Sequence, residues 1–112
     1  AAGIPGLPAA LVHMARTYGR LPLAESLAPA IRVAREGFPV YARLARGYAQ
    51  RSAVMERYPG TRQVFLRNGK PPLEGDLFRQ PELARTLELL ARDGFDGFYR
   101  GQTARLLLAG VK

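Results

Sequence analysis

Residues 80–112, QPELARTLELLARDGFDGFYRGQTARLLLAGVK, hold the longest regular pattern in this chain. Pro81 suits the first turn of a helix, where a missing N–H costs nothing and the ring already fixes a helical φ. Glu82 puts negative charge in the first turn and Arg92 positive charge in the last, and the helix macrodipole favours both. Leu83, Leu87 and Leu90 fall at i, i+4 and i+7, with Ala84 and Ala91 beside them, which predicts one apolar stripe. Arg85, Glu88 and Arg92 lie off that stripe, and Glu88 to Arg92 is the favoured i, i+4 ion pair. Gly94 is expected to end the helix in the left-handed region, with Phe95 folding back onto Leu90. Asp93 is then the last residue before the stop, and Asp96 an N-cap for a short turn over 97–99. Gly101 marks a further break, and 102–111 resumes a helical pattern through Ala104, Leu107, Leu108 and Val111. No residue in the stretch has the surroundings of a catalytic group.

Working outward, the rest of the chain repeats the helical theme. The opening GIPGLP of residues 3–8 is turn-rich, and Pro8 can start a helix. Residues 9–18 read as a short helix with Leu11, Met14, Ala15 and Tyr18 on its apolar side, ended by Gly19 and barred from continuing by Pro22. Residues 23–36 are helical again, with Pro29 inside, so a kink or break near Ala28 is expected. Gly37-Phe38 repeats the stop at Gly94-Phe95, and Phe38 is expected to pack on Val33. The strings AREGF (34–38) and ARDGF (91–95) are nearly the same, but little similarity extends around them, so they read as one helix stop used twice. Residues 39–57 read as one helix or two short ones. Val64-Phe65-Leu66 has β-character, Asn68-Gly69 is strong turn chemistry, and a loop with a scrap of strand runs on to Phe78.

A chain of 112 residues is large enough to bury a core without staples. It is read as a single helical unit over 1–112 with no internal domain boundary. Its hydrophobic content of 47% fits a globular protein. No cysteine is present, so neither a disulfide framework nor a thiolate metal site can form. No apolar run approaches the ~18 residues of a membrane span. The net charge of +8, almost all from arginine, raises the possibility of a nucleic-acid or acidic partner. The arginines are scattered and no dense run exists, which favours ordinary solvated faces over nucleic acid. The chain begins without methionine and stops inside a helical pattern, and so reads as a piece of a larger or processed protein.

None of the residue constellations in the sequence has the pattern of a reactive site. His13 is the only histidine, and neither Ser26 nor Ser52 lies in a nucleophile elbow. The carboxylate pairs Glu74/Asp76 and Asp93/Asp96 read as loop and helix-end chemistry and not as an acid–base pair. Asn68-Gly69-Lys70 lacks the spacing of a phosphate loop. Gly3 and Gly6 have no strand before them, so a dinucleotide fingerprint fails. Phe98 and Tyr99 could stack on bases but read as packing at a helix corner. No catalytic, cofactor-binding or metal-ligating residue is assigned, and no cofactor is expected.

Three blocks in order resemble the γ-glutamyltransferase (γ-glutamyltranspeptidase, glutathione hydrolase) family. GIPG at 3–6 is similar to its Gly-Val-Pro-Gly. YGRLPLAESLAPAIRVAREGFPV at 18–40 is similar to its tyrosine-glycine and leucine-proline segment ending in Gly-Phe. QPELARTLELLARDGFDGFYRG at 80–101 is similar to its Gln-x-x-Leu-Ala-x-Thr-Leu helix and Asp-x-Phe-Tyr-x-Gly corner. Phe95 departs from the family, which usually has proline after the glycine.

The resemblance implies a mainly α chain: a helical lobe of an N-terminal nucleophile hydrolase whose αββα sandwich lies outside these residues. Such proteins cleave themselves into a large and a small subunit, and the new N-terminal threonine attacks the γ-glutamyl amide with its own amine as base. The resemblance places this chain in the middle of the large subunit, without that threonine and without the substrate-binding arginine. Thr17, Thr61, Thr86 and Thr103 do not occupy the nucleophile's position. The implied partners are the remainder of the large subunit and the small subunit, with self-association of the separate piece a further expectation. A periplasmic or secreted location is implied in the same way. Two alternatives remain: a free-standing basic helical module binding nucleic acid or an acidic partner, and a cephalosporin acylase-like amidase of the same fold.

Overall fold

The structure is a computed structural model and describes residues 3–111. Seven helices and one two-stranded ribbon are formed among the described residues: α1 (Leu7–Tyr18), α2 (Leu23–Glu36), β1 (Phe38–Pro39), α3 (Ala42–Arg57), α4 (Pro59–Phe65), β2 (Leu77–Phe78), α5 (Pro81–Asp93), α6 (Phe95–Tyr99) and α7 (Gln102–Val111). The described residues form two compact units, one of residues 3–35 with 81–111 and one of residues 36–80.

In the first unit the decisive stretch behaves largely as its sequence demands. Helix α5 begins at Pro81, carries Glu82 in its first turn and Arg92 in its last, and stops before Gly94. The stop is a single bond from the Gly94 N–H to the Leu90 carbonyl at 2.9 Å. Gly94 has φ +60° with ψ −133°, so it lies at positive φ but outside the left-handed helical well. Its carbonyl accepts the Gly97 N–H at 3.1 Å and so starts α6. Gly94, and not Asp96, is therefore the N-cap of the corner. Asp96 sits inside the first turn and pairs with Arg100 at 3.4 Å. Phe95 stacks on Tyr99, ring centroids 4.4 Å apart, where the sequence suggested contact with Leu90.

Close backbone approach explains the corner's second glycine. Gly97 is buried, and a Cβ there would run into the Leu89 carbonyl oxygen, with the carbonyl carbon at 2.6 Å. Only glycine lets α6 lie against the end of α5 this closely. The buried face of α5 centres on Ala84 and Leu90, both on the expected stripe, with Leu87 and Ala91 half-buried, while Leu83 at the start of that stripe is exposed. Arg35 of α2 forms an ion pair with Glu88 of α5. Helix α2 runs unbroken from Leu23 to Glu36 through Pro29, so the expected break near Ala28 does not occur.

The second unit departs further from expectation. Gly37, at φ +89°, turns the chain into β1, where Phe38 pairs antiparallel with Phe78 and Pro39 with Leu77. The Val40 N–H donates to the Asp76 carbonyl at 2.9 Å and the Gly75 N–H to the Val40 carbonyl at 2.8 Å. Pro39 and Val40 are thereby drawn into pairing, and α3 starts only at Ala42. Phe38 makes its ring contact with Phe78, 6.0 Å between centroids, while Val33 stays exposed. Residues 64–66 are not a strand. Pro59 opens α4, which runs to Phe65, and Phe65 stacks on Phe78 at 5.9 Å beside Tyr48. Those aromatics, with buried Val40 and Leu66, form this unit's core. Burial raises the Tyr48 phenol above its ordinary range, with Tyr41 a smaller cause in the same direction. The Asn68-Gly69 turn forms as expected, both residues at positive φ, with Arg67 and Lys70 exchanging backbone bonds of 2.8 and 2.9 Å.

Candidate functional site: a helical corner and the exposed apolar faces beside it

The hydroxyl-bearing and titratable candidates are occupied locally. His13 Nδ1 lies 3.5 Å from Thr17 Oγ1, one turn along the same helix, and its ring stands edge-on to Tyr18. Ser26 donates to the Pro22 carbonyl at 3.3 Å and Ser52 to the Ala49 carbonyl at 2.9 Å. Each hydroxyl serves its own helix backbone. Thr86 does the same toward Glu82, at 3.1 Å. Asp76 accepts the Leu73 N–H at 2.8 Å and so closes its loop. Among the described residues no group of three or more His, Asp or Glu could hold a metal ion.

The charged pair at the end of α5 is a second place where ionisation is perturbed, after the Tyr48 phenol. Arg92 grips Asp93 with two bonds, Nε to Oδ1 at 2.8 Å and Nη2 to Oδ2 at 2.7 Å. The hydrogen bond and charge of Arg92 hold the Asp93 carboxyl below the usual carboxylate range, against a smaller opposing effect of desolvation. Arg92 is raised by the same pairing. Both groups are exposed, so the pair decorates the corner and does not build a reactive pocket.

The aromatic pair is structural here. Phe98 and Tyr99 are half-buried, 4.9 Å apart in edge contact, and the second ring of the stack on Tyr99 is Phe95. The Tyr99 hydroxyl donates to the Pro5 carbonyl at 2.5 Å and accepts the Ala9 N–H at 3.1 Å. This ties GIPG to the corner, joining the first and third of the three resembling blocks. Composition and spacing did not reveal this role for Tyr99, since the partners lie at the far end of the chain.

What remains open on the surface is apolar. Beside the corner, Gly3, Pro5, Phe98, Tyr99, Leu107 and Val111 line an open groove of about 470 Å³. Leu106, Leu107, Leu108 and Val111 of α7 are all exposed. Residues 106–111 of this helix carry no polar side chain. Seven hydrophobic side chains are buried among the described residues and nineteen large ones are exposed. That balance suits a surface that meets other polypeptide, since monomeric proteins rarely leave large contiguous apolar patches bare.

Comparison with known proteins agrees with this architecture. The family model described as Gamma-glutamyltranspeptidase matches residues 1–112. Glutathione hydrolase 3 of Arabidopsis thaliana is 39% identical over 110 residues, which is 98% of this chain and 17% of that protein. The crystal structure of Helicobacter pylori gamma-glutamyltranspeptidase superposes with a TM-score of 0.90 at 34% identity, over 95% of this chain and 31% of that one. The cephalosporin acylase from Bacillus halodurans superposes with a TM-score of 0.89 at 37% identity, over 95% of this chain and 21% of that one. The fold is thus the helical part of an N-terminal nucleophile hydrolase, and the chain belongs to the γ-glutamyltranspeptidase family. It spans about a sixth of the length of the curated relative described above.

Proposed function

We propose that this chain is a non-catalytic helical scaffold within a larger γ-glutamyltransferase or glutathione hydrolase. The observation that carries this reading is the match of the whole chain to the family while every hydroxyl and carboxylate weighed as catalytic is spent locally or left on an open surface. The reaction is then transfer or hydrolysis of γ-glutamyl amides by an N-terminal threonine outside these residues. The partners are the remainder of the large subunit and the small subunit, which accounts for the bare apolar side chains of α7. A separate copy of the piece would associate with itself through the same faces. The parent is expected in the periplasm or outside the cell.

A second reading within the family is an amidase of the cephalosporin acylase kind, favoured by the superposition on that structure. The experiment offers the purified parent a γ-glutamyl anilide, with and without a dipeptide acceptor, and a glutaryl-type acyl amide. Release of chromophore from the anilide supports the proposal, and stimulation by the acceptor marks a transferase. Cleavage of the acyl amide alone replaces it with the amidase reading. A gel shift with steep salt dependence and no amide cleavage would favour the nucleic-acid module instead.

A further inference from the structure

Seven basic side chains fall within residues 42–70 against a single acidic one, Glu56. The sequence scatters them, but helix α3 lines three of them up. Arg43, Arg46, Gln50, Val54 and Arg57 recur at i, i+3, i+7, i+11 and i+14, so they share one face of the helix, and all five are exposed. Leu44, Tyr48 and Met55 are half-buried on the opposite face, and Glu56 falls off the row. The row is about 21 Å long at 1.5 Å per residue. Its charges are also free. Among the described residues all four ion pairs belong to the other unit. Arg67 and Arg79 donate to the Leu77 and Glu36 carbonyls, whereas Arg43, Arg46 and Arg57 have no partner among the described residues.

We propose that this row docks on the surface of an anionic phospholipid bilayer, with α3 lying along the membrane plane. Covering it with ordinary protein surface would take unpaired guanidiniums out of water at high cost, so this row, unlike the apolar side chains of α7, belongs on the outside of the parent. A basic face on an amphipathic helix is complementary to lipid phosphates, and each such cation adds attraction to the negatively charged leaflet. The uncharged members of the face favour lipid over nucleic acid. Val54 sits within the row, and Tyr41 and Tyr58 flank the two ends of α3, all three exposed. Tyrosine settles at the headgroup level of a bilayer, its ring toward the acyl chains and its hydroxyl in water.

The test is co-sedimentation of the full parent protein with vesicles of phosphatidylcholine alone and of phosphatidylcholine with about a quarter phosphatidylglycerol. The proposal expects binding to the anionic vesicles only, weakening as salt is raised. Replacing Arg43, Arg46 and Arg57 together by glutamine should lower the partition coefficient on the order of a hundredfold, about fivefold for each charge. Lysine at the same three positions should keep the binding, since a bilayer reads charge. Glutamine at Arg20, Arg32 and Arg105, exposed in the other unit, removes the same net charge and should change binding far less. Equal losses from the two glutamine triples would overturn the proposal, because net charge and not this row would then be responsible. No binding to the anionic vesicles would overturn it as well. Salt-sensitive binding of duplex DNA by a parent that ignores the vesicles would replace the bilayer with nucleic acid. The readout needs no enzymatic activity, so it stands or falls apart from the reaction proposed for the parent.

Discussion

Tyr99 caps helix α1 from 90 residues away: its hydroxyl accepts the Ala9 N–H at 3.1 Å and donates to the Pro5 carbonyl at 2.5 Å. Gly6, at the N-cap, has no side chain to satisfy the orphan N–H groups of the first turn, and Pro8 supplies none. The tyrosine does remotely what a serine or aspartate does locally. Tyr99→Phe is expected to cost about 1 kcal/mol, the usual worth of a hydrogen bond of this kind. Hydrogen exchange at the Ala9 amide should speed up roughly fivefold, with amides in α3 unchanged as the control.

Two glycines inside helices should respond oppositely to the same substitution. Gly97→Ala drives a Cβ into the Leu89 carbonyl, whose carbon would be 2.6 Å away and is backbone that cannot swing aside. A loss of about 3 kcal/mol is expected, the upper end for overpacking. Gly47→Ala in α3 meets nothing within 4 Å and should gain about 0.5–1 kcal/mol from helix propensity. Urea unfolding midpoints of the two variants would lie on opposite sides of the parent value.

Positive φ and crowding can be separated in the same manner. Gly75 has φ +87° with open space around it, so Gly75→Ala should cost only the backbone strain, about 1–2 kcal/mol. Gly37 has φ +89°, and a Cβ there would meet Arg79 Cγ at 2.7 Å and the Phe78 carbonyl oxygen at 2.8 Å. The same Arg79 donates to the Glu36 carbonyl at 2.9 Å. Gly37→Ala should therefore be the more damaging, and equal unfolding midpoints for the two would refute this.

The Arg92–Asp93 pair sets a small pH dependence. Asp93 is depressed in the folded chain by Arg92, so its contribution is complete above the unfolded aspartate value near 3.9 and is lost as pH falls through the lower folded value. An NMR titration should show Asp93 protonating at lower pH than an ordinary aspartate. Arg92→Gln should return it to the ordinary range, and high salt should move it the same way.

Legibility in the sequence followed the range of the forces at work. The bounds of helix α5 were readable because proline, the end charges and the glycine stop all act within a few positions, while the exposure of Leu83 was not. The absence of a strand at 64–66 was not readable, because Phe65 is held by Tyr48 and Phe78, partners far off in sequence. The ribbon of Phe38 with Phe78 hid the true start of α3 for the same reason. On α1 the Leu11, Met14 and Tyr18 stripe was visible as a period, but periodicity alone could not say that Val12 faces inward and the stripe outward. Within the candidate site, the Gly94 stop was legible, and the close backbone approach at Gly97 and the cap supplied by Tyr99 were not.

The central claim is that the chemistry resides outside a scaffold of this kind. Its most direct measurement is the intact mass and N-terminal residue of every product of the full-length parent after it is allowed to stand. The account predicts two chains, the smaller beginning with threonine and the larger containing these residues, and unchanged cleavage when Thr17, Thr61, Thr86 and Thr103 are each replaced by alanine. A single uncleaved chain, or cleavage abolished by one of those four substitutions, would contradict it.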